Sequence, residues 1–306
     1  MGKGPNDIDT LPIATHNVSM NKLTTSDRVA ILRALTEGCS MRSTSRMVGV
    51  SINTVTKLLV EAGRACAEYQ HNAFRNLPCT KLQLDEIWAF VAMKDKNVPD
   101  ARKGEAGIGS IWTWTAICAD TKLIPSWLVG SRDLVHAKAF VTDLAGRLSG
   151  RPQITTDGLK AYVEAMEAGF GGEVDYAVLH KVYGGANTDE SRYSPAACLG
   201  CDAKPVIGNP DMTHASTSYV ERQNLTMRMR MRRFTRLTNG FSKKLENLEH
   251  MVALHFFVYN FITRHTTLRM PPALKAKVTD HLWDFEELVS MIDRAETDRK
   301  KKLISN

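Results

Sequence analysis

Three acidic residues lie at positions where a carboxylate is unusual, and together they could hold divalent cations. Asp85 interrupts the apolar run 82–91, Asp157 directly follows the short run 153–156, and Glu221 lies early in a long helical pattern. A carboxylate inside a strand is costly to desolvate unless it has a partner. Carboxylate oxygens suit Mg²⁺, and two ions about 3.5–4 Å apart stabilise both oxygens of a phosphoryl transfer.

Two of these residues also have an ordinary explanation. Asp-Gly is a common turn, so Asp157 before Gly158 could be a turn residue, and Asp85 could face solvent at a strand edge. The order of all three favours the metal site. The gap of 64 residues between positions 157 and 221 is long, which leaves Glu173 and Glu190 as competitors for the third position.

The first part of the chain predicts helices. Residues 1–22 are polar without periodicity and are interpreted as a flexible arm. Residues 23–65 contain three short helical patterns, with a Gly-containing turn between the second and third, which is the spacing of a helix-turn-helix domain. Gly63 is taken as the end of the third helix, and residues 66–80 as a linker.

From position 81 the pattern changes to strands. The predicted order of elements is β-β-β-α-β-α-β-α, which is typical of a ribonuclease-H-like domain, an α/β fold with a mixed sheet and helices on both faces. This domain is placed at 81–264, with an irregular insertion at 183–215 and a long helix at 216–235. Residues 265–306 form a C-terminal helix and basic tail. In this fold the first and fourth strands are neighbours, so Asp85 and Asp157 should converge.

Positive charge is concentrated after Glu221. The chain carries a net charge of +7, yet residues 222–244 alone hold eight basic residues and no acidic one. They are Arg222, Arg228, Arg230, Arg232, Arg233, Arg236, Lys243 and Lys244. The cluster predicts contacts with DNA phosphates, although a solvated basic face is the plainer interpretation. Arg228 follows Glu221 by about two turns and should share its face.

The third helix of the N-terminal domain offers base-reading side chains. Asn53, Thr54 and Lys57 are placed on its outer face, where a recognition helix meets base edges. Helical modules of this kind also bind proteins, which is the alternative.

The amino-acid composition and the lack of long apolar stretches exclude several classes of protein. Hydrophobic residues make up 43% and charged residues 24% of the 306 residues, which is ordinary globular composition. No apolar stretch is long enough to cross a bilayer and the N-terminus lacks a signal-peptide pattern. A cytoplasmic protein with reduced cysteines is expected, with no membrane partner. Cys198 and Cys201 form Cys-x-x-Cys; loop cysteines without metal are favoured, and zinc stays an alternative.

Several segments together resemble a known family. They are 84–88 (LDEIW), 130–132 (GSR), 156–158 (TDG), 218–225 (SYVERQNL), 240–244 (GFSKK) and 259–261 (YNF). Over residues 81–272 the chain resembles DDE-type transposases, most closely the insertion-sequence-one family. Matched residue by residue, the family triad falls on Asp85, Asp157 and Glu221, and its basic residue falls on Arg228. Members often carry a zinc module first; none is expected here, because no cysteine precedes Cys39.

The resemblance implies an enzyme that moves DNA. It would bind the inverted-repeat ends of an insertion sequence, cleave them with two Mg²⁺ ions (Mn²⁺ being able to substitute), and join them to target DNA. The expected partners are double-stranded DNA and at least a second copy of the chain, in a prokaryotic cytoplasm at the nucleoid. The rival hypothesis is a non-enzymatic helix-turn-helix regulator whose second domain binds a partner. A nuclease that cuts but never joins is a third.

Overall fold

The computed structural model describes residues 23–184 and 198–304, so the predicted arm at 1–22 lies outside the described residues. The described chain begins with α1 (Thr25–Thr36), α2 (Met41–Val48) and α3 (Ile52–Ala73). Each helix begins at a hydroxyl side chain that accepts a backbone N–H, which satisfies one of the free donors of the first turn. These caps are Thr24, Ser40 and Ser51.

The third helix is longer than predicted. It runs to Ala73 and includes Gly63, so the prediction that this helix ends at Gly63 is wrong, and residues 66–73 of the predicted linker are helical. Gly63 serves close packing instead: a Cβ there would lie 2.4–2.6 Å from atoms of His250, including its backbone. The absence of a side chain lets α3 lie directly against α7 (Leu245–Phe257).

This contact gives a first prediction. We expect Gly63→Ala to lower the free energy of unfolding by about 1–3 kcal/mol, because an added methyl group must push α3 away from the His250 backbone. Gly172→Ala is the matched control, since a Cβ at Gly172 meets nothing within 4 Å. Urea unfolding of both variants measures the difference. Equal stability of the two variants would show that α3 and α7 are not in close contact.

A six-stranded mixed sheet follows. Its strands are β1 (Lys81–Val91), β2 (Gly109–Cys118), β3 (Ser126–Gly130), β4 (Gln153–Thr156), β5 (Asp175–Tyr183) and β6 (Cys198–Ile207). The order is β3-β2-β1-β4-β5-β6. β1 pairs antiparallel with β2 and parallel with β4, and β4 pairs parallel with β5. The ribonuclease-H-like α/β prediction is confirmed, including the neighbouring first and fourth strands.

The remaining elements are mainly helices. They are α4 (Leu134–Ala145), α5 (Ala161–Phe170), α6 (Ser218–Arg230), α7, α8 (Pro272–Lys275) and α9 (Phe285–Ile304), with a π-helical turn at Val258–Ile262 after α7. α6 is shorter than predicted, because Met231 takes an extended backbone that turns the chain so that Phe234 reaches the core. Residues of α1, α3, the sheet, α7 and α9 belong to one buried apolar cluster.

The segment 183–215 is not wholly irregular. Its described part contains β6, which pairs antiparallel with β5 and forms one edge of the sheet. The strand escaped prediction because nearly all of its residues are exposed, so no alternation of apolar and polar residues marks it. Pro205 within it also argues against a strand. Among the described helices, none is both long and apolar enough to cross a membrane.

Candidate metal and nucleic-acid site

Strand register brings two of the predicted carboxylates together. Leu84 of β1 lies opposite Thr156 of β4 in the parallel pair, so Asp85 and Asp157 are the next residues along the two chains. Oxygen atoms of Asp85, Glu86 and Asp157 all lie within 4.8 Å of one another, close enough to share a metal ion. Glu86 was not predicted, since a single acidic neighbour in a strand carries no distinguishing signal.

Asp85 is held by hydrogen bonds from two elements. The Asn224 Nδ2 atom of α6 donates to Asp85 Oδ2 at 2.8 Å, and the Glu86 backbone N–H donates to Oδ1 at 2.8 Å. Burial, together with the negative charges of Glu86, Asp157 and Glu221, raises the pKa of Asp85 to about 7, and the backbone hydrogen bond from Glu86 opposes this rise. A bound cation would offset both the desolvation cost of the charged Asp85 carboxylate and its repulsion by the neighbouring carboxylates.

Glu86 and Asp157 share a basic partner. Arg132 Nε donates to Glu86 Oε2 at 3.1 Å, and Arg132 Nη2 lies 3.7 Å from Asp157 Oδ2. Glu86 is 7% exposed, and burial raises its pKa. Arg132 lies in one of the segments that carry the family resemblance, but its position between two carboxylates was not predicted.

Glu221 reaches the same cavity from α6. A cavity of about 410 Å³ is lined by Asp85, Asp157 and Glu221, together with residues of β5 that include His180 and Lys181. Glu221 lies in the first turn of α6, as predicted. Its Oε1 accepts a hydrogen bond from Thr217 Oγ1 at 2.5 Å and contacts Lys181 Nζ. Glu221 is thus beside the carboxylate cluster but bound to a lysine that sequence patterns did not indicate.

The cap of α6 comes from the sheet. Thr217, the residue before the helix, makes no capping hydrogen bond with its side chain. Instead the Gln83 Oε1 atom of β1 accepts the backbone N–H groups of Tyr219 at 2.7 Å and Val220 at 3.2 Å. Gln83 and Asp85 share one face of β1. This contact therefore fixes the start of α6 beside the carboxylates.

Two other glutamates, Glu173 and Glu190, were candidates for the third carboxylate. Glu173 precedes β5 and lies 4.0 Å from Arg151, whereas Asp85 and Asp157 lie toward the other end of the parallel strands. Glu173 is therefore at the wrong edge of the sheet. Glu190 lies outside the described residues.

Arg228 of α6 lies near enough to Asp85 for the charge of that carboxylate to act on its guanidinium. It is partly buried, burial lowers its pKa, and nearby Arg236 lowers it further, while the charge of Asp85 acts in the opposite direction. A guanidinium in this position could contact a phosphate beside the acidic cavity.

The other basic residues do not form one helix face. Arg222 and Arg230 lie on the side of α6 away from the acidic cavity, and Arg230 pairs with Glu37 at 3.2 Å. Arg232, Arg233, Arg236, Lys243 and Lys244 follow the end of α6. Arg233 donates to Ser242 Oγ at 2.8 Å and its pKa is lowered to about 10 by burial. Lys243 lies over the Phe241 ring, and Lys244 lies 4.0 Å from Glu246.

The predicted reading residues lie at the start of α3. Asn53 and Lys57 are exposed, Thr54 is partly exposed, and Lys57 lies 4.0 Å from Glu61. They line one wall of a groove of about 630 Å³ whose opposite wall is α9, with Asp293, Glu296 and Lys300. Cys198 and Cys201 are exposed on β6, so the expectation that they lie in a loop is wrong.

The donor set fits a hard divalent cation. All three atoms of the close cluster are carboxylate oxygens, the ligands that Mg²⁺ and Mn²⁺ prefer. Asn224 Oδ1 is also buried without a hydrogen-bond partner among the described residues. A buried oxygen with an unused lone pair next to the cluster is what a hydrated ion would satisfy.

Comparison with known proteins gives distant likenesses. The sequence matches no protein-family model and no curated protein sequence. Among solved structures it is similar to the piggyBac transposase synaptic complex with hairpin DNA, at 9% identity and a TM-score of 0.39, over 94% of this chain and 76% of that chain.

Two further matches are structures of Mos1 transposase. The paired-end complex with the left transposon end matches at 10% identity and a TM-score of 0.20, over 55% of this chain and 58% of that one. The strand transfer complex matches at 12% identity and a TM-score of 0.22, over 83% and 76%. Likeness at this level does not identify a family or an activity.

The raised pKa of Asp85 gives a second prediction. With its pKa near 7 rather than the ordinary 3.8, the folded protein binds this proton more tightly than the unfolded chain does. Stability of the metal-free protein is therefore lost as the pH rises from about 4 to about 7. We expect Asp85→Asn to raise the free energy of unfolding at pH 8 by up to about 4 kcal/mol and to leave it unchanged near pH 4.

Urea unfolding in the presence of a chelator, at both pH values, measures this effect. A variant no more stable than the wild-type protein at pH 8 would mean that the Asp85 carboxylate is well solvated after folding.

Proposed function

We propose that this chain is a DNA transposase that cleaves the ends of a mobile element and joins them to target DNA with divalent metal ions. The observation that carries the proposal is the convergence of Asp85 and Asp157 at neighbouring strand ends, with Glu221 lining the same cavity. The sequence segments that resemble the insertion-sequence-one family point to the same three residues. A regulator that only binds DNA has no need of three carboxylates around one cavity.

In this proposal Asp85, Asp157 and Glu221 would hold the metal ions. Bound Mg²⁺ would supply an activated water and stabilise the leaving oxygen of the phosphodiester. Asn224 orients Asp85, Arg132 holds Glu86 beside Asp157, and Gln83 fixes α6. Arg228 contacts a DNA phosphate next to the scissile bond. Lys181 neutralises Glu221 until the site is loaded.

DNA recognition is assigned to residues outside the acidic cavity. Asn53, Thr54 and Lys57 read the end sequence from α3, as in a helix-turn-helix domain at 23–65. Arg222, Arg230, Arg232, Arg233, Arg236, Lys243 and Lys244 supply phosphate contacts. Two copies of the chain, each holding one end, would form the active assembly on double-stranded DNA.

The proposal is tested with a duplex that carries the inverted repeats flanking the gene. The expected result is Mg²⁺-dependent release of a 3′-OH end followed by its joining to a second duplex. Specific binding without cleavage would instead identify a regulator, and cleavage without joining would identify a nuclease.

The reading helix gives a third prediction. We expect Lys57→Ala to weaken binding of the end duplex by about 1–3 kcal/mol and Asn53→Ala to reduce its preference over a scrambled duplex by a similar amount. Fluorescence anisotropy with both duplexes, at one stated salt concentration, measures both effects. Lys138→Ala is the control, because Lys138 lies on α4 and pairs with Glu164. Normal specific binding by both variants would place the reading surface elsewhere.

A further inference from the structure

A second cavity lies on the opposite side of α6 from the carboxylates. Its volume is about 700 Å³, and its α6 wall includes Arg222 and Arg230, whereas Glu221 and Asn224 point toward the acidic cavity. The other walls come from the turn after β2, at Lys122, and from residues 263–268, which follow the π-helical turn. One helix thus separates two cavities of different chemistry.

The charge of this second cavity is positive. Its described lining includes Lys122, Arg222, Arg230 and Arg264 but no aspartate or glutamate. Arg230 pairs with Glu37 at 3.2 Å, so Lys122, Arg222 and Arg264 supply the positive charge. Burial lowers the pKa of two histidines in the lining, and the nearby cations act in the same direction. Burial and the charge of Arg230 together lower the pKa of His255 to about 3, and burial and the charge of Lys122 lower the pKa of His265.

Among these cations, Lys122 gives the strongest indication of an anionic ligand. It is 8% exposed, its Nζ donates to the Ala119 carbonyl oxygen and lies 3.2 Å from the centre of the Tyr219 ring, and the Tyr259 hydroxyl donates to its backbone oxygen at 3.0 Å. No carboxylate pairs with it among the described residues. An ammonium group buried without an anion is costly, and an anion entering the cavity would offset that cost.

We infer that this cavity binds phosphates of a single-stranded segment of DNA, one or two nucleotides long. The inference rests on the proposed function, because the segment would continue from the duplex held at the carboxylates on the other side of α6. A cavity of this size suits a small ligand and is too small for a duplex. Exposed Tyr219 and Met229 offer apolar surface to a base, and the threonine hydroxyls of residues 263–267 can donate to phosphate oxygens.

The test uses a fluorescein-labelled short oligodeoxythymidine with the full chain and a chelator, followed by anisotropy. Arg264→Ala should weaken binding about fivefold to tenfold and reduce the slope of log affinity against log salt by about one. The Arg264 guanidinium is exposed and has no ion pair among the described residues, so the fold should survive. Lys138→Ala on α4 should bind as the wild-type protein does, because Lys138 pairs with Glu164 away from this cavity.

The outcomes separate this inference from the proposed function. Normal oligonucleotide binding by Arg264→Ala would overturn the inference, as would an Arg264→Ala defect seen with inorganic tripolyphosphate but not with the oligonucleotide. In the latter case the cavity serves a free polyanion. A wild-type protein that binds the oligonucleotide through Arg264 but never cleaves an end duplex would support the strand site and refute the transposase.

Discussion

In Asp85→Asn, Mg²⁺-dependent cleavage of the end duplex is expected to fall by about a thousandfold or more. The substitution removes one unit of negative charge from the carboxylate cluster, and a loss of about 4 kcal/mol of transition-state stabilisation corresponds to this change in rate. The amide keeps an oxygen that can accept the hydrogen bond from Asn224, so the packing of α6 on β1 should survive. Single-turnover cleavage at saturating protein measures the effect separately from DNA binding.

Two controls separate the loss of a metal ligand from a general effect of removing a carboxylate and from a loss of DNA binding. Glu164→Gln removes an exposed carboxylate on α5 that pairs with Lys138, and it should cleave normally. Asp85→Asn itself should bind the end duplex at least as tightly as the wild-type protein when no metal is present, because a negative charge near the DNA has been removed. Cleavage within about threefold of wild type would exclude Asp85 as a metal ligand.

Sequence patterns predicted the strands and the helix that carry the three carboxylates, because each of these elements is marked by residues close together in the chain. The strand that carries Asp85 is rich in aliphatic and aromatic residues, and the fourth strand was placed at residues 153–156, where the structure has it. Once the order of strands is known, the neighbouring positions of Asp85 and Asp157 follow from topology alone. Glu221 was placed early in its helix, and the structure has it in the first turn of α6.

The contacts that hold the carboxylates could not be predicted in the same way. Gln83 caps a helix that begins about 136 positions later in the chain, and Asn224 reaches Asp85 across a similar separation. No spacing rule connects such residues, because tertiary packing sets their distance. Gly63 shows the same limit: a helix-ending glycine and a glycine at a helix crossing look alike until the opposing His250 is known.

The Glu221→Gln variant is expected to lose cleavage and joining by about a hundredfold or more, although Glu221 lies outside the closest cluster of carboxylates. Its Oε1 atom is bound by Thr217 and Lys181, so a metal-binding role would require the side chain to leave the lysine. A glutamine can still accept from Thr217 but supplies no charge to a cation, and a loss of about 3 kcal/mol follows.

Lys181→Met separates a metal ligand from a structural partner. If Glu221 served only to hold Lys181 between β5 and α6, removing either residue would cost the same stability and the same activity. As a ligand, Glu221 should behave differently: Lys181→Met frees its carboxylate and should lower the Mg²⁺ concentration needed for half-maximal cleavage, whereas Glu221→Gln should raise it. Metal titrations of the two variants, with unfolding curves alongside, give the comparison. Matching losses in both variants, with the metal requirement unchanged, would refute a catalytic role for Glu221 and leave the third ligand to be sought elsewhere, with Glu86 the nearest carboxylate to Asp85 and Asp157.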